Sequence, residues 1–284
     1  MPIPLRRDRR MWYISANKVR DLVEDRMDYE AILLERKGHT AHVTLNRPEN
    51  LNAYNYEMHR DMNLAWDEIN ADDDLYTIVV TGAGRAFCSG ADMKERSRGQ
   101  AKGGMGREQT AEPAGQHISN FRHNNTPLGL PRAHHGYPGK PIIAAIHGIC
   151  CGDGVGWLYR SDFVICASDA SFFDPHVNVG AHPTSISNMQ TCCARPYALA
   201  IHLLGLPWKT DAKRACELGL VTEVVPPEEL VERALGLAED LNRSPNRLAW
   251  RTTKAFYFTN FERRFEEARS ATWTFETSSS LLAK

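Results

Sequence analysis

The sequence lacks the features that would place it in several large classes of proteins. Its 34 lysines and arginines nearly balance its 35 aspartates and glutamates, so no overall charge favours nucleic acid or an anionic membrane surface. No segment approaches the ~20 consecutive apolar residues that span a bilayer. The first residues, "MPIPLRRDRRMWYIS", contain no continuous apolar stretch of the kind found in secretion signals. We therefore expect neither a nucleic-acid partner nor a membrane partner.

Cysteine usage argues against an extracellular disulfide scaffold. The seven cysteines are odd in number and include two adjacent pairs, Cys150 with Cys151 and Cys192 with Cys193. None of them shows the C-x-x-C spacing of structural zinc sites. The arginines near the start resemble those of a transit peptide, but the acidic Asp8 and Asp21 argue against one. We expect a reducing, cytoplasmic location.

One glycine-rich stretch suggests a phosphate-binding loop but lacks the other residues of such a motif. "HGICCGDGVGWLYRSDF", residues 147–163, carries four glycines before an apolar segment. No lysine followed by serine or threonine closes this turn, which argues against a P-loop. The G-x-G-x-G spacing differs from the G-x-G-x-x-G of dinucleotide folds, and no ribose-binding acid is evident. Glycines that only allow a helix to pack closely on a strand remain the simpler interpretation of this stretch alone.

The remaining patterns predict an α/β protein. After a charged lead-in, "AILLER" and "AHVTLN" read as two strands joined by a turn, and the apolar residues from Met58 to Ile69 have helical spacing. "YTIVVTG", "PIIAAIHG", "DFVICA" and "ASFFD" read as further strands, with a helix after Asp153. Residues 96–140, rich in Gly, Pro, Arg and His, predict a long loop. From Arg195 onward the pattern is mostly helical.

A second glycine-bearing turn changes the interpretation of the first. "TGAGRAFCSGADMKE", residues 81–95, is another strand that ends in glycines before a polar segment. Two such turns can direct one backbone N–H each at a single point. Paired donors of this kind stabilise an oxygen that becomes negative during a reaction, and one donor contributes roughly 3 kcal/mol in comparable sites.

Taken together and in order, four stretches resemble the crotonase (enoyl-CoA hydratase/isomerase) superfamily. They are "VTLNRPENLNAY", "GRAFCSGADMKE", "KPIIAAIHGICCGDGVG" and "AKRACELGLVTEVVPPEEL", within a match over about residues 29–257. The resemblance implies a ββα spiral core over 29–226 and a C-terminal helical, oligomerisation region over 227–284, after an N-terminal extension over 1–28. It also implies a homotrimer, often paired into a hexamer.

The resemblance implies an acyl-CoA thioester as substrate. Coenzyme A would then be part of the substrate, with no permanently bound cofactor. By position, the backbone N–H groups of Ala91 and Asp153 would bind the thioester oxygen and stabilise an enolate. Asp153 stands where glycine is usual, and we expect it to cap the following helix rather than to react. The implied coenzyme A contacts are Asn50, Leu51, Ala53, Asp92, Met93 and Lys94. A basic contact is missing, because the position after "RP" holds Glu49.

The acid–base residues depart from the pattern of the family. Hydratases of the family use two glutamates, and their positions here hold Gly156 and His176. "FFDPHVNVGAHPTS" offers Asp174, His176 and His182 instead. A histidine oriented by a carboxylate is a competent general acid or base, so we predict His176 as the proton-transfer residue, with Asp174 and His182 as further candidates. Nothing in their spacing favours a metal site over hydrogen bonding.

The sequence leaves the reaction open. An acyl-CoA lyase or hydratase, an isomerase, a hydrolase of C–C bonds in β-diketones or cyclic β-keto thioesters, and a non-catalytic acyl-CoA binder all fit. Aromatic dehalogenation is disfavoured, because Thr184 stands where that branch has its aspartate nucleophile. The predicted loop either shapes the acyl pocket or is a solvent-exposed segment. Its candidate residues are His117, His123, His134, His135 and Tyr137.

Overall fold

The computed structural model describes residues 29–94, 139–180, 189, 192–244 and 246–254. The predicted N-terminal extension lies outside these residues, and so does nearly all of the predicted long loop with its histidines. The expectations for those segments therefore stay predictions.

The described residues form ten strands, five α-helices and a further helical segment near their C-terminal end, with 3₁₀ turns between several of them. The strands are β1 Ile32–Lys37, β2 Thr40–Leu45, β3 Thr77–Gly82, β4 Ala86–Cys88, β5 Ile142–Ile146, β6 Ile149–Cys151, β7 Phe163–Ala167, β8 Ser171–Phe173, β9 Thr210–Asp211 and β10 Glu223–Val225. The α-helices are α1 Tyr56–Ala71, α2 Trp157–Arg160, α3 Arg195–Leu204, α4 Ala212–Glu217 and α5 Leu230–Asn242. The 3₁₀ turns are Pro48–Asn50, Gly152–Gly156, His176–Val179 and Pro227–Glu229. Residues 247–254 are also helical.

Two sheets organise these elements. The larger has the order β1-β2-β3-β5-β7-β10, in which only the β1–β2 pair is antiparallel. The smaller has the order β4-β6-β8-β9, with β4, β6 and β8 parallel. In the larger sheet, β3, β5 and β7 are each followed, after a short connection, by a strand of the smaller sheet, which is β4, β6 and β8 in turn. This alternation matches the predicted α/β spiral.

The central strands of the larger sheet are buried on both faces, which explains their continuous apolar sequences. Successive side chains point to opposite faces, so Ile78 and Val80 belong to one apolar cluster and Val79 to another. The first cluster includes the inner side of α1, and the second includes Leu230 and Ala234 of α5. Helix α1 begins where the Asn55 side chain accepts a hydrogen bond from the Met58 N–H, as a capping residue does.

The predicted helix after Asp153 is present but much shorter than a typical helix. Gly152–Gly156 forms a 3₁₀ turn, and only Trp157–Arg160 is α-helical before Ser161 returns to an extended conformation. Glycine is a poor helix former, because its backbone loses the most freedom on folding. Gly154 also lies where a Cβ atom would stand 2.8 Å from the Cys88 carbonyl oxygen. The glycines therefore allow this turn to pack closely against the backbone at Cys88, and they do not extend the helix.

Within the described ranges, no helix combines the length and the apolar character needed to cross a membrane.

Candidate active site

Three neighbouring strands of the smaller sheet end at the same place. β4, β6 and β8 are parallel, so their carboxyl ends lie along one edge. The segments that follow them are Ser89–Asp92, Gly152–Asp153 and Asp174–His176. Residues beyond the carboxyl ends of parallel strands commonly form ligand sites, because loops there converge from separate parts of the chain. Four of the five predicted catalytic residues are therefore brought together by strand order.

The N–H of Ala91 is directed away from the loop that precedes α1. The Gly90 carbonyl oxygen accepts a hydrogen bond of 2.7 Å from the Tyr54 N–H, and the Asp92 N–H donates one of 2.9 Å to the Tyr54 carbonyl. The Gly90–Ala91 peptide is trans, so its C=O and N–H point in opposite directions. With the carbonyl on Tyr54, the Ala91 N–H must face the other side of the segment.

The first two segments approach each other closely at Gly90. A Cβ atom at this position would stand 3.1 Å from the Cys151 carbonyl oxygen and 3.4 Å from the Asp153 nitrogen. Gly90 also has a φ of 90°, in the region that favours glycine. The Cys151 thiol donates to the Ser89 carbonyl oxygen at 3.3 Å, which ties the same two segments together. The predicted donors Ala91 and Asp153 thus belong to two backbone segments that leave no room for a side chain between them.

Asp153 does not occupy the helix cap that we predicted. The residue at the cap of the 3₁₀ turn is Cys151, and Asp153 lies inside its first turn. The reason is that the turn begins two residues earlier than expected, at Gly152, whose φ of 55° lets the chain reverse there. Asp153 thus lies in the first turn, the part of a helix whose positive dipole end favours negative charge.

His176 lies beside the second donor segment. Its Cε1 atom is 3.9 Å from the place where a Cβ of Gly152 would be, next to Asp153. The His176 Nδ1 atom is hydrogen-bonded to the Asp174 Oδ1 atom, which also accepts a 3.0 Å bond from the His176 backbone N–H. The His176 side chain is 20 % exposed and that of Asp174 fully buried. One edge of the imidazole is therefore held by Asp174, and part of the ring is exposed to solvent.

A third group that the sequence did not single out completes this arrangement. His202 of α3 places its Nδ1 atom 2.6 Å from the Asp174 Oδ2 atom, and its side chain is fully buried. The only signal in the sequence is a histidine within the apolar run "YALAIHLLG", since a buried polar side chain requires a partner. Its partner lies 28 residues away in the chain and could not be read from that pattern.

The carboxylate between the two imidazoles is ionised. Burial raises the pKa of Asp174, but the hydrogen bonds from His176 and His202 outweigh it and bring the pKa well below its usual range. An ionised carboxylate only accepts hydrogen bonds, so both imidazoles must donate through Nδ1. Neutral His176 then carries its lone pair on Nε2, the nitrogen that a general base uses.

The predicted coenzyme A loop lies against the first donor segment. Leu51 and Asn52 both have a φ of 53°, and the buried Asn52 side chain donates to the carbonyl oxygens of Ala83 at 2.9 Å and Ala86 at 2.7 Å. These bonds hold Asn50, Leu51 and Ala53 next to the bridge between Tyr54 and Ala91.

The three remaining candidates for coenzyme A contacts differ in their exposure. The Asp92 carboxylate pairs with the mostly buried Arg47 guanidinium at 3.1 Å and accepts from the Lys94 N–H at 3.1 Å. Asp92 therefore holds the two loops together through its side chain. Met93 is 51 % exposed, and Lys94 is also exposed.

Two sequence-based expectations remain untested at this site. His182 and Thr184 lie outside the described residues. Among the residues that are described, no group of three or more histidine, cysteine, aspartate or glutamate side chains is arranged to hold a metal ion.

Comparison with known proteins decides the family. The enoyl-CoA hydratase/isomerase family model matches residues 40–274. The chain belongs to this family. A probable enoyl-CoA hydratase of Rhizobium meliloti is 33 % identical over 217 residues, 76 % of each chain. The (E)-benzylidenesuccinyl-CoA hydratase of Thauera aromatica is 31 % identical over 211 residues, covering 74 % of this chain and 75 % of that protein.

Solved structures agree with this membership of the crotonase superfamily. An enoyl-CoA hydratase/isomerase from Mycobacterium paratuberculosis has a TM-score of 0.70 and 33 % identity, covering 89 % of this chain and 91 % of that chain. The predicted crotonase fold is confirmed. In this member of the enoyl-CoA hydratase/isomerase family, the Asp174 carboxylate pairs with both His176 and His202.

Proposed function

We propose that the protein is an enzyme that acts on an acyl-CoA thioester, with His176 as its single acid–base residue. The Ala91 and Asp153 N–H groups bind the thioester oxygen, and the His176 Nε2 atom exchanges a proton with the substrate. The observation that carries the proposal is the position of the His176 ring, whose Cε1 atom lies 3.9 Å from the Cβ position of Gly152. A base beside an oxyanion donor is the arrangement that enolate chemistry requires.

One imidazole can perform both proton transfers of a hydration in turn. Nε2 takes a proton from water as the water oxygen bonds to Cβ of the enoyl thioester. The electron pair of the C=C bond moves onto the thioester oxygen, where the two N–H groups stabilise the resulting enolate. The imidazolium then returns its proton to Cα, which regenerates neutral His176. Dehydration is the reverse, and a double-bond shift uses the same base to move a proton from one carbon to another.

A coenzyme A ester fits the surroundings of this site. The loop of Asn50, Leu51 and Ala53 adjoins the Ala91 segment through backbone hydrogen bonds, and the exposed Lys94 follows it. Hydratases of CoA esters are among the relatives. We assign coenzyme A to the substrate rather than to a permanently bound cofactor, with Asp92 holding the loop and Met93 at its exposed rim.

Assembly and location complete the proposal. The apolar side chains of Val177, Val179, Leu203 and Leu204 are exposed on the turn after β8 and at the end of α3. Exposed apolar residues grouped in this way are typical of contacts between subunits, which supports a homotrimer or hexamer. All seven cysteines are free thiols, which supports the cytoplasm. We keep 29–226 as the core and 227–284 as the oligomerisation region.

The test measures binding and turnover separately. Isothermal titration with butyryl-CoA, crotonyl-CoA and free CoA should show binding of the esters. The ultraviolet absorbance of crotonyl-CoA should fall as its conjugated double bond is hydrated. His176→Gln should retain ester binding and lose turnover, because an amide cannot accept and return a proton.

Three outcomes would contradict the proposal. Failure of every coenzyme A ester to bind would show that acyl-CoA thioesters are not the substrates. Turnover by His176→Gln at the parental rate would show that His176 does not transfer the proton. Binding without turnover of either crotonyl-CoA or acetoacetyl-CoA would favour a non-catalytic acyl-CoA binder.

A second candidate function is supported by the His176–Asp174 pair itself. A base beside an oxyanion site also suits attack of water on a ketone carbonyl, followed by cleavage of the C–C bond to leave a stabilised enolate. Cleavage of acetoacetyl-CoA, or of a free β-diketone at a rate that coenzyme A does not inhibit, would favour this C–C hydrolase over the hydratase or isomerase.

A further inference from the structure

The carboxylate of Asp174 is shared between two imidazoles, one partly exposed and one fully buried. Its Oδ1 atom serves His176, and its Oδ2 atom lies 2.6 Å from the Nδ1 atom of His202. All of the Asp174 and His202 side-chain surface is buried. A dyad that only oriented His176 would need one carboxylate oxygen, so the second bond requires a separate explanation.

The state of His202 follows from its surroundings. Its Nδ1 atom donates to an ionised carboxylate, and its Nε2 atom is buried with no hydrogen-bond partner among the described residues. A proton on that Nε2 atom would leave a buried charge and an unsatisfied donor, which is costly. His202 is therefore the neutral tautomer with the hydrogen on Nδ1.

Building on the proposed function, we propose that His202 is a positioning residue that acts on His176 through Asp174. Its Nδ1–H holds Oδ2 and thereby turns Oδ1 towards His176. The same bond draws negative charge away from Oδ1, which weakens the hold of Asp174 on a proton at His176. His202 thus sets the pH at which His176 changes between base and acid.

Within the described part of the chain, few other charged groups lie near Asp174, His176 and His202. Cys151 of β6 lies nearby, but burial raises the pKa of its thiol to about 12, so it is neutral. Asp153 lies in the 3₁₀ turn before α2, and Lys209, before β9, places its ammonium 5.0 Å from the ring centroid of Phe173. On the Oδ2 side of Asp174, the hydrogen bond comes from His202.

A matched pair of substitutions separates the hydrogen bond from the volume of the ring. The leucine and asparagine side chains have the same number of heavy atoms with the same branching, so His202→Leu and His202→Asn have similar shapes. Only the asparagine offers an N–H near the place of Nδ1. If His202→Leu does not fold, His202→Gln replaces it, because the glutamine amide takes the place of Nε2, which does not face Asp174.

The readout needs no substrate. Slow exchange of the imidazole Cε1 hydrogen for deuterium, followed in peptides by mass spectrometry over a range of pH, yields a titration midpoint for each histidine. We expect His202→Leu to raise the midpoint of His176 by about one pH unit, because the unshared carboxylate favours the protonated ring. His202→Asn should keep it within about 0.3 unit of the parent, and the exposed His39 should not move. Activity should change in kcat and not in KM, since His202 does not touch the substrate.

The outcomes are distinct from those of the proposed function. A shifted His176 midpoint in a protein that turns over no thioester would uphold the coupling and remove only the proposed function. An unchanged midpoint in His202→Leu would overturn the inference and leave His202 as a packing residue. Equal shifts in the leucine and asparagine variants would overturn it as well, because the cause would then be lost volume.

Discussion

Gly90 offers the sharpest test of the two-donor site, because it is the point of contact between the donor segments. An alanine at this position places its Cβ 3.1 Å from the Cys151 carbonyl oxygen, 3.4 Å from the Asp153 nitrogen and 3.5 Å from the Gly152 Cα. The first contact is tighter than an ordinary one, so the second segment must move by a few tenths of an ångström. Oxyanion donors act within a narrow range of distance, so the Asp153 N–H should leave its position.

Gly90→Ala has two effects, a backbone strain that lowers stability and a displacement of the second donor segment, and a control variant can separate them. Its φ of 90° makes a side chain unfavourable by about 1–2 kcal/mol whatever the space. Gly38 supplies the control, since its φ is 60° and an added Cβ would meet nothing within 4 Å. Gly38→Ala therefore carries a similar backbone cost in the turn between β1 and β2, outside the three segments that form the site.

The assay combines urea unfolding with turnover of the best thioester. Both variants should lose about 1–3 kcal/mol of stability. Only Gly90→Ala should lower kcat/KM, by about 10²–10³-fold, which is the effect of removing one oxyanion donor. Parental turnover in a destabilised Gly90→Ala would refute the two-donor site. Equal losses of turnover in both variants would assign the effect to general destabilisation.

Three further predictions follow from buried groups. Asp174→Asn should lower kcat by about 10³-fold in the turnover assay, because an amide does not hold His176 in the required tautomer. Burial lowers the pKa of Lys254 from 10.5 to about 8, so between these values only the unfolded chain keeps that proton. Raising the pH through this window should therefore stabilise the parent relative to Lys254→Met in urea unfolding. Burial raises the pKa of Cys151 to about 12, so iodoacetamide near neutral pH should label the partly exposed Cys216 first, as judged by peptide mass spectrometry.

Each of these predictions has an opposing result. Parental kcat in Asp174→Asn would show that the carboxylate does not orient the base. If the free energy of unfolding of the parent, relative to that of Lys254→Met, stays constant or falls as the pH rises, the pKa of Lys254 is not lowered in the folded protein. Labelling of Cys151 before Cys216 in the folded protein would show that the Ser89–Cys151 contact opens readily.

Local patterns predicted most of the described elements. The spacing of Met58, Met62 and Ile69 identified α1, and the apolar runs identified the strands, because burial on one or both faces leaves a period in the sequence. The glycines before Asp153 were also recognisable. The structure that these glycines form was harder to predict. Gly154 approaches Cys88, 66 residues earlier in the chain, and a helix of normal length does not follow.

The site was predictable only as far as its segments could be recognised. Ala91, Asp153, Asp174 and His176 were named from motifs, and the structure places them at one sheet edge. His202 was missed, because nothing in an apolar helix indicates which carboxylate its histidine will meet. The Arg47–Asp92 pair was missed for the same reason, since it joins two loops that are distant in sequence. Contacts of this kind depend on strand order, which residue spacing does not encode.

The central claim is that His176 removes and returns a proton at the α-carbon of an acyl thioester held by two backbone donors. Deuterium exchange into the α-position of butyryl-CoA in heavy water measures this step alone, with no need to know the natural acyl group. We predict exchange by the parent and by His39→Gln, a remote control, and a rate lowered by about 10²–10⁴-fold in His176→Gln with ester binding retained. Exchange by His176→Gln at the parental rate would contradict the account.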